Sequence, residues 1–344
     1  MELKQHSHNR GIVTRYSQTV GHTPLLQLPV PHHKATLLLK LEQFNPMGNM
    51  KFRMALNMIN AAEASGQLKP GGRIVESTSG NTGLGLAAIA AERGYRFTAI
   101  VDSHAAKDKL RAMRALGADI VFVDENSSDG ELSTALRDET AARIAAEDPG
   151  SFWTEQHNNP ANPDGYTSLA EELLEILGPE IEALVGAAGT GGSLCGTAKA
   201  LRKTIPELYS LGVEPEGSII FGGAGGTYYQ SGTGTPPGAE IGVCVDYDQI
   251  SLGVKVDDIA AFNTARYIAR RFGLLIGGSA GGALYAAIRA IREGFLTGTV
   301  VVIIPDAGDK YLDSYYDDDW MAERKLLSTE LPAELELFFG TRND

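Results

Sequence analysis

Short apolar runs alternate with longer amphipathic stretches along the chain from residue 36 onward. The short runs are typical of buried strands, and the longer stretches have apolar residues at helical spacing. The predicted strands are residues 35–42, 72–77, 96–102, 119–124, 151–156, 183–188, 218–223 and 299–306. The predicted helices are residues 50–66, 80–94, 106–117, 133–148, 168–178, 193–205, 257–273 and 279–294. Strands that alternate with helices predict an α/β fold whose parallel sheets are covered on both faces.

Two of the strand-to-helix units share one design. An apolar strand is followed by a Gly-rich turn, TSGNTG at residues 78–83 or GTGGS at residues 189–193, and then by a helix. Two such units predict two sheet domains that face one cleft. A third Gly-rich segment, residues 222–238, has seven glycines in 17 residues. Long segments of this kind in a compact domain are commonly functional loops, and we interpret it as one.

The C-terminal tail, residues 321–344, contains patches of apolar side chains. These are Leu326, Leu327, Leu331, Leu335, Leu337, Phe338 and Phe339. We expect the tail to dock on the body of the protein or on a second subunit, with a purely superficial position as the open alternative.

Charge and composition narrow the function. The net charge is −13, from 43 acidic and 30 basic residues. Because nucleic-acid binding needs a basic face, we do not expect nucleic acid as a partner. No window has about 18 consecutive apolar residues and the N-terminus lacks an apolar signal core, so we expect a cytoplasmic protein without membrane contact. The two cysteines, Cys195 and Cys244, are too few for a disulfide framework, and the seven histidines show no metal-ligand spacing. No metal is expected.

The two Gly-rich turns are candidate anion sites, because free N–H groups at a helix N-terminus bind phosphates and carboxylates. In the first turn, Thr78, Ser79, Asn81 and Thr82 add polar side chains; in the second, Thr190 and Ser193 add hydroxyls to three glycines. Each turn alone is as commonly a packing device. Two in one chain, both at strand ends, favour ligand binding.

Lys51 stands at the start of an apolar helix among methionines. An amine in such surroundings is desolvated, its pKa falls, and it becomes a nucleophile that can form a Schiff base. An exposed lysine and a methionine core are the simpler interpretations. Ser279, in the third Gly-rich turn IGGSAGGAL, is expected at a helix N-cap.

Taken together, the motifs carry a resemblance. NPMGNMKFR, ESTSGNTGLGLA, QHNNPANP, GAAGTGGSLCGTAKAL, GLLIGGSAGGA and IIPDAGDKYL stand in the order found in the cysteine synthase and cystathionine β-synthase family. The resemblance covers residues 17–320. It implies a pyridoxal 5′-phosphate (PLP) enzyme of fold type II, like the tryptophan synthase β chain: two parallel-sheet α/β/α domains with PLP in the cleft.

The resemblance also implies roles for individual residues. Lys51 matches the lysine that holds PLP as a Schiff base, and Asn81 the residue that binds its 3′-oxygen. The phosphate cup matches Gly189, Thr190, Gly191, Gly192 and Ser193, and Ser279 matches the hydroxyl that faces the pyridine nitrogen. The substrate carboxylate would be bound by Thr78, Ser79, Thr82 and Gln156, and Gly232 matches the active-site glycine. Phe52 and Phe272 depart from the family pattern, which usually has Asp and Glu there.

The implied reaction is β-replacement on an O-activated serine through an aminoacrylate, giving cysteine or a related β-substituted alanine. Segments 217–223, 256–258, 277–281 and 305–320 resemble most the siderophore-pathway enzymes that make N-(2-amino-2-carboxyethyl)-glutamate, which favours an amino-acid nucleophile as the alternative. Tyr228 and Tyr229 are expected to shape the pocket for that second substrate. A serine or threonine dehydratase and a non-catalytic PLP sensor stay open. A nicotinamide-dependent dehydrogenase is disfavoured, because the glycine spacing is G-x-x-G-x-G.

The same resemblance implies a domain division and a partner. Residues 1–46 and 157–320 would form the larger domain, which binds the PLP phosphate. Residues 47–156 would form a smaller, mobile domain with the TSGNTG loop, and residues 321–344 a C-terminal extension. The partners expected are small amino-acid substrates and a second copy of the chain in a homodimer.

Overall fold

The structure, a computed structural model, describes residues 12–103, 105–123 and 130–340. The strands are β1 Leu25–Leu28, β2 Thr36–Leu41, β3 Arg73–Ser77, β4 Arg96–Val101, β5 Asp119–Phe122, β6 Phe152–Trp153, β7 Ala183–Ala187, β8 Tyr209–Pro215, β9 Leu252–Val256 and β10 Thr299–Ile304. The helices are α1 Lys51–Ala64, α2 Asn81–Arg93, α3 Lys107–Ala115, α4 Gly130–Glu147, α5 Ala161–Asp164, α6 Thr167–Leu177, α7 Gly192–Leu201, α8 Asp258–Phe272, α9 Gly278–Arg292, α10 Asp318–Glu323 and α11 Leu331–Phe339. No helix in these residues is long and apolar enough to cross a membrane.

The larger lobe is built on a six-stranded sheet of order β1-β2-β10-β7-β8-β9. All of its strand pairs are parallel except the edge pair β1–β2. Alternate residues of β10 enter different cores: Val300 and Val302 pack with α8 and α9, whereas Val301 and Ile303 pack with α6 and α7. Burial on both faces explains why this strand is an unbroken apolar run in the sequence.

The smaller lobe is built on a parallel four-stranded sheet of order β5-β4-β3-β6. Ile74 and Phe97 face a core shared with α1, α2 and α3, and Val75 and Ile100 face Ala141 of α4 on the other side. The predicted fold class is therefore confirmed, with one antiparallel edge strand, β1, that was not predicted.

Helix α1 joins the two lobes. Phe52 and Ile59 lie in the core of the smaller lobe, while Met54 and Met58 lie in the core between the larger sheet and α6 and α7. The methionines are thus core residues, and Phe52, which departs from the family pattern, anchors the helix that begins with Lys51. The orientation of Lys51 is set by both lobes.

The predicted strand at residues 218–223 is wrong. The strand in this part of the sheet is β8, Tyr209–Pro215, and the apolar run after it is a buried turn. The backbone N–H groups of Ile220 and Phe221 donate to the Glu214 carboxylate at 2.8 and 2.9 Å instead of to a neighbouring strand. A short apolar run does not by itself distinguish a strand from another buried segment. Strand β9 was also not predicted.

The C-terminal tail docks on the body of its own chain. Leu331, Leu335, Phe338 and Phe339 of α11 are buried against the larger lobe. The Phe339 ring packs edge to face on Phe272 with centroids 5.2 Å apart, which gives Phe272 a packing role. Residues 341–344 of the predicted extension and residues 1–11 of the predicted larger domain lie outside the described residues.

Four buried charged residues form ion pairs that hold the start of α1 in place. Arg53 pairs with Glu42 at 2.6 Å and with Glu172 at 2.8 Å, and Lys40 pairs with Glu172 at 2.6 Å. Burial alone would raise the pKa of Glu172, but the charges and hydrogen bonds of Arg53 and Lys40 outweigh burial and lower the pKa to about 2. The two cations and two anions form a neutral cluster two residues from Lys51.

We expect Glu172→Gln to lower the free energy of unfolding at pH 7 by about 3 kcal/mol, because it leaves two buried cations with one carboxylate. Since the folded pKa of Glu172 lies below its ordinary value of 4.5, this contribution is complete above pH 4.5 and is lost as the pH falls toward 2. The difference in the free energy of unfolding between wild type and variant, measured by urea unfolding, should therefore become smaller as the pH falls toward 2. The exposed neighbour Glu171→Gln is the control, and equal effects of the two changes would contradict the prediction.

Candidate active site

A cavity of about 480 Å³ lies where the carboxyl ends of strands from both sheets meet. Ser77 ends β3, Ala187 ends β7, and Pro305 follows β10, and all three line the cavity. Ligand sites of open α/β sheets form at these strand ends, because loops and helix N-termini converge there. The position of the cavity marks it as the candidate active site.

The larger lobe contributes an anion cradle. The loop at residues 189–191 leads into α7, which begins at Gly192, and the first N–H groups of a helix have no acceptor within it. Gly191 has a φ of +83°, and a Cβ there would lie 2.6 Å from the Cys244 carbonyl oxygen. A Cβ on Gly192 would lie 2.1 Å from Asn162 Oδ1. The cradle offers backbone N–H groups and hydroxyls and no acidic side chain, a donor set that fits a phosphate.

The smaller lobe contributes a second anion site at the start of α2, whose N-cap residue, Gly80, has no side-chain cap. Thr82 Oγ1 donates to Gln156 Oε1 at 2.7 Å, and Gln156 Nε2 donates to the Ser77 carbonyl oxygen at 3.4 Å. These bonds hold the TSGNTG turn against the end of β6. The hydroxyls and the free helix N-terminus fit a carboxylate.

Beneath this turn lies a buried carboxyl group, Glu76. Its Oε2 accepts hydrogen bonds from Thr154 Oγ1 at 2.5 Å and from the Gln156 backbone N–H at 3.1 Å. Burial raises the pKa of Glu76 to about 8. Asn162 Nδ2 continues the network by donating to the Gln156 carbonyl oxygen at 2.6 Å and to Thr190 Oγ1 at 3.2 Å. The two anion sites are thus joined by one chain of hydrogen bonds.

Lys51 is the first residue of α1, and its side chain lines the cavity. The Met50 N–H donates to the Pro305 carbonyl oxygen at 2.8 Å, which ties the helix start to the end of β10. Burial lowers the pKa of Lys51 to about 8, with Cys244 opposing the shift. Within the described residues, Lys51 Nζ has no hydrogen bond and no ion pair. The cavity therefore holds an amine that a carbonyl group can approach, and the lowered pKa makes the neutral, nucleophilic form of that amine accessible.

Ser279 lines the same cavity at the start of α9, but it is not the N-cap that the sequence predicted. The N-cap is Gly277, without a side-chain cap, because the helix begins one residue before the serine. The hydroxyl of Ser279 is left without a hydrogen-bond partner among the described residues. It can therefore bond to a bound molecule.

Asn81 is held in a fixed orientation by the segment after β10. Its Nδ2 donates to Asp306 Oδ2 at 2.8 Å, and its Oδ1 accepts from Lys310 Nζ at 3.3 Å. An ionised carboxylate only accepts and an ammonium only donates, so these neighbours define which way the amide faces. Tyr311 OH donates to the same Asp306 oxygen at 2.7 Å.

The cavity brings together most of the residues that the sequence indicated. Those that line it are Lys51, Thr78, Ser79, Asn81, Thr82, Gln156, Gly189, Thr190, Ser193, Gly232 and Ser279. Gly191 and Gly192 are in the cradle loop but are not lining residues. Ser231 to Gly234 of the Gly-rich loop line the cavity, whereas Tyr228 and Tyr229 do not, and the Tyr229 ring packs on Trp320. The expectation that the two tyrosines shape the pocket is wrong for this structure.

Sequence reasoning missed several lining residues, namely Ser77, Lys109, Arg137 and Asp306, whereas His157 and Ser231 lie in the QHNNPANP segment and the Gly-rich loop that the sequence singled out. Asp306 was findable, because it stands inside IIPDAGDKYL. Lys109 and Arg137 had no signal, since each is one charged residue in an amphipathic helix, where a charge is ordinarily solvated.

The model of the family "Pyridoxal-phosphate dependent enzyme" matches residues 16–306. A protein of Sinorhizobium fredii (strain NGR234), named "Putative cysteine synthase", is 51% identical over 94% of this chain and 96% of its own. The crystal structure of a hydrogen sulfide-producing enzyme from Fusobacterium nucleatum is 29% identical, with a TM-score of 0.81 over 88% of this chain and all of the other. That of an O-acetylserine-dependent cystathionine β-synthase from Helicobacter pylori is 30% identical, with a TM-score of 0.79 over 88% and 98%.

Fold, cavity and family match together define a pyridoxal-phosphate dependent enzyme of fold type II. Within that class, the chain belongs to the cysteine synthase and cystathionine β-synthase family. Its cofactor is pyridoxal 5′-phosphate.

Proposed function

We propose that this enzyme catalyses β-replacement on an O-activated serine, O-acetylserine or O-phosphoserine, giving cysteine or a related β-substituted alanine. The observation that carries the proposal is that one cavity holds a half-buried lysine, without a partner in the described residues, and two helix N-termini that fit a phosphate and a carboxylate. The S. fredii relative and the H. pylori structure, whose names state cysteine synthesis and O-acetylserine dependence, support it.

The residues present fit the cofactor. Gly189 to Ser193 would hold its phosphate, and Lys51 would bind its aldehyde carbon covalently. Asn81, fixed by Asp306 and Lys310, would donate to its 3′-oxygen, and Ser279 would face its pyridine nitrogen. When bound, the cofactor supplies an electron sink that makes the Cα proton of an amino acid removable. A hydroxyl rather than a carboxylate at the nitrogen limits that sink, which favours elimination and replacement over transamination.

The chain's own residues would do the remaining work. Thr78, Ser79, Thr82 and Gln156 would bind the α-carboxylate of the donor at the start of α2. The Lys51 amine would take the Cα proton as a general base. The bond between Cβ and the ester oxygen breaks with its electron pair on the leaving acetate or phosphate. The nucleophile would then supply the pair for the new bond to Cβ and give up a proton, and the Lys51 ammonium would return a proton to Cα.

The test is product analysis with the loaded enzyme and each donor, with and without sulfide. Cysteine that appears only with sulfide is the expected result. Pyruvate and ammonia at the same rate in both samples would replace the proposal by a dehydratase. Cofactor binding without turnover of either donor would favour a sensor.

We expect Thr82→Val to raise the KM of the donor about tenfold while kcat changes less, because it removes the hydroxyl that holds Gln156 against the α2 N-terminus. Steady-state kinetics measures both constants. Thr264→Val is a matched control, since the buried Thr264 hydroxyl has no hydrogen-bond partner in the described structure and Thr264 does not line the cavity. An unchanged KM in Thr82→Val would remove this turn from carboxylate binding.

We also propose that the smaller lobe closes over the donor and that the enzyme works as a homodimer, as the family resemblance implies. Light scattering of the loaded enzyme should give about twice the chain mass of 36.6 kDa. A mass of one chain would overturn the dimer without affecting the proposed reaction.

A further inference from the structure

One cation on the wall of the active-site cavity has no task in the proposed reaction. Among the residues that the structure describes, three cationic side chains line the cavity, Lys51, Lys109 and Arg137. Lys51 is the candidate for covalent attachment of the cofactor. Arg137 pairs with Asp102 at 2.7 Å, and both side chains are largely shielded from solvent, so its charge is balanced within the protein. Lys109 is left.

Lys109 lies half-buried on α3, with Nζ 5.1 Å from the centroid of the Tyr311 ring. Within the described part of the chain, Nζ makes no hydrogen bond and no ion pair. Burial lowers the pKa of Lys109, and the charge of Asp306 opposes that shift by favouring the ammonium form. An aromatic face attracts an ammonium group but leaves its three N–H donors unused.

The carboxylate in this region is already engaged. Asp306 Oδ2 accepts hydrogen bonds from Asn81 Nδ2 at 2.8 Å and from Tyr311 OH at 2.7 Å. Lys310, the other nearby cation, donates to the carbonyl oxygens of Met47 and Gly48 and to Asn81. Lys109 thus lines the cavity with a charge and unused donors, whereas the neighbouring Asp306, Asn81 and Lys310 already have partners. A shielded ammonium without a partner is costly, and an anion from outside would remove that cost.

The two anions that the reaction already requires have donors elsewhere. The cofactor phosphate has the cradle at the start of α7, and the donor α-carboxylate has the start of α2. We propose that Lys109 binds a further anionic group, the one at the side-chain end of an amino-acid substrate. The inference rests on the proposed function and specifies its substrate class: the phosphate of a phosphoserine donor, or the side-chain carboxylate of a dicarboxylic amino acid that acts as nucleophile.

Either anionic substrate is compatible with β-replacement. In the first, the bond from Cβ to the ester oxygen breaks and inorganic phosphate leaves with the electron pair. In the second, the donor's acetate or phosphate leaves Cβ with the electron pair, the amine of the incoming amino acid uses its lone pair to form a bond to Cβ and loses one proton, and a proton returns to Cα, while the side-chain carboxylate stays unreacted on Lys109.

Binding and turnover of matched anionic and neutral pairs distinguish the sources. Calorimetry on the loaded enzyme compares O-phosphoserine with O-acetylserine, and glutamate with glutamine. Steady-state kinetics then gives KM for the two donors with sulfide, and for glutamate with O-acetylserine. We expect Lys109→Gln to weaken one anionic member about 10- to 100-fold, the range of a charge-assisted hydrogen bond, and to leave its neutral counterpart within about twofold. Lys109→Arg should restore most of the loss.

Lys107→Gln, on the exposed side of the same helix, is the matched control and should change none of these values. If wild type binds neither anionic compound more tightly than its neutral counterpart, the inference is overturned even when cysteine is formed. If Lys109→Gln instead changes the absorbance of the bound cofactor and weakens all substrates equally, Lys109 serves the cofactor and the inference is also wrong. Failure of the proposed function is a separate result, the absence of β-replacement by wild type with every pair.

Discussion

Replacing Lys51 by alanine should abolish turnover, by about 10³-fold or more, while the fold remains intact. Lys51 lines the cavity, its amine has no partner in the described residues, and its replacement leaves neither a group for covalent attachment nor a base for the Cα proton. Its neighbours in α1 supply the packing, since Phe52 and Met54 are fully buried, so the melting temperature should change little.

The decisive measurement is borohydride reduction of the loaded enzyme followed by peptide mass analysis. Wild type should carry the reduced cofactor on the peptide that contains Lys51, and the variant should carry none. Lys34→Ala, an exposed lysine, is the control. Cofactor found on another lysine in wild type would refute the assignment and, with it, the proposed mechanism.

The same residue predicts a pH dependence. Only a neutral amine attacks a carbonyl, and burial lowers the pKa of Lys51 to about 8. The rate at which the cofactor-free enzyme forms the covalent link should rise about tenfold per pH unit below 8 and level off above it. A rate that still rises between pH 9 and 10 would show an ordinary, solvated lysine.

Replacing Gly191 by alanine should weaken the binding of pyridoxal 5′-phosphate about 100-fold or more. The new Cβ would lie 2.6 Å from the Cys244 carbonyl oxygen and from Val245 Cα, so the loop or the segment behind it must move, and the N–H groups of the cradle lose their arrangement. Equilibrium dialysis of the cofactor measures the loss. Because the damage is to the phosphate site, binding of pyridoxal, which lacks the phosphate, should change much less.

Gly294→Ala is the matched control. Its φ of +74° imposes the same left-handed strain, but a Cβ there has no atom within 4 Å. It should cost about 1 kcal/mol of stability and leave cofactor affinity unchanged. If Gly191→Ala weakens pyridoxal as much as its phosphate, the change has disturbed the whole site, and the cradle is not the specific phosphate binder.

The positions of the site residues along the chain were readable from the sequence because they depend on local structure. A strand, a Gly-rich turn and a helix N-terminus are specified within about ten residues, so Thr78 to Thr82 and Gly189 to Ser193 could be found without knowing how the sheets pack. The apolar run of β10 was equally clear, since burial on both faces requires it.

What only the tertiary structure decided depends on contacts between residues far apart in sequence. Ile219 and Ile220 form a buried turn rather than a strand because Glu214 accepts the N–H groups of residues 220 and 221, and apolar periodicity does not record such a bond. The α11 helix docks on its own chain because Phe272 and the larger core offer it an apolar surface. In the sequence, Lys109 is one charged residue of an amphipathic helix, where a lysine is ordinarily solvated. It faces the cavity because α3 packs on the smaller sheet with that side toward Tyr311, and a charge left unpaired by such packing is visible only when both lobes are in place.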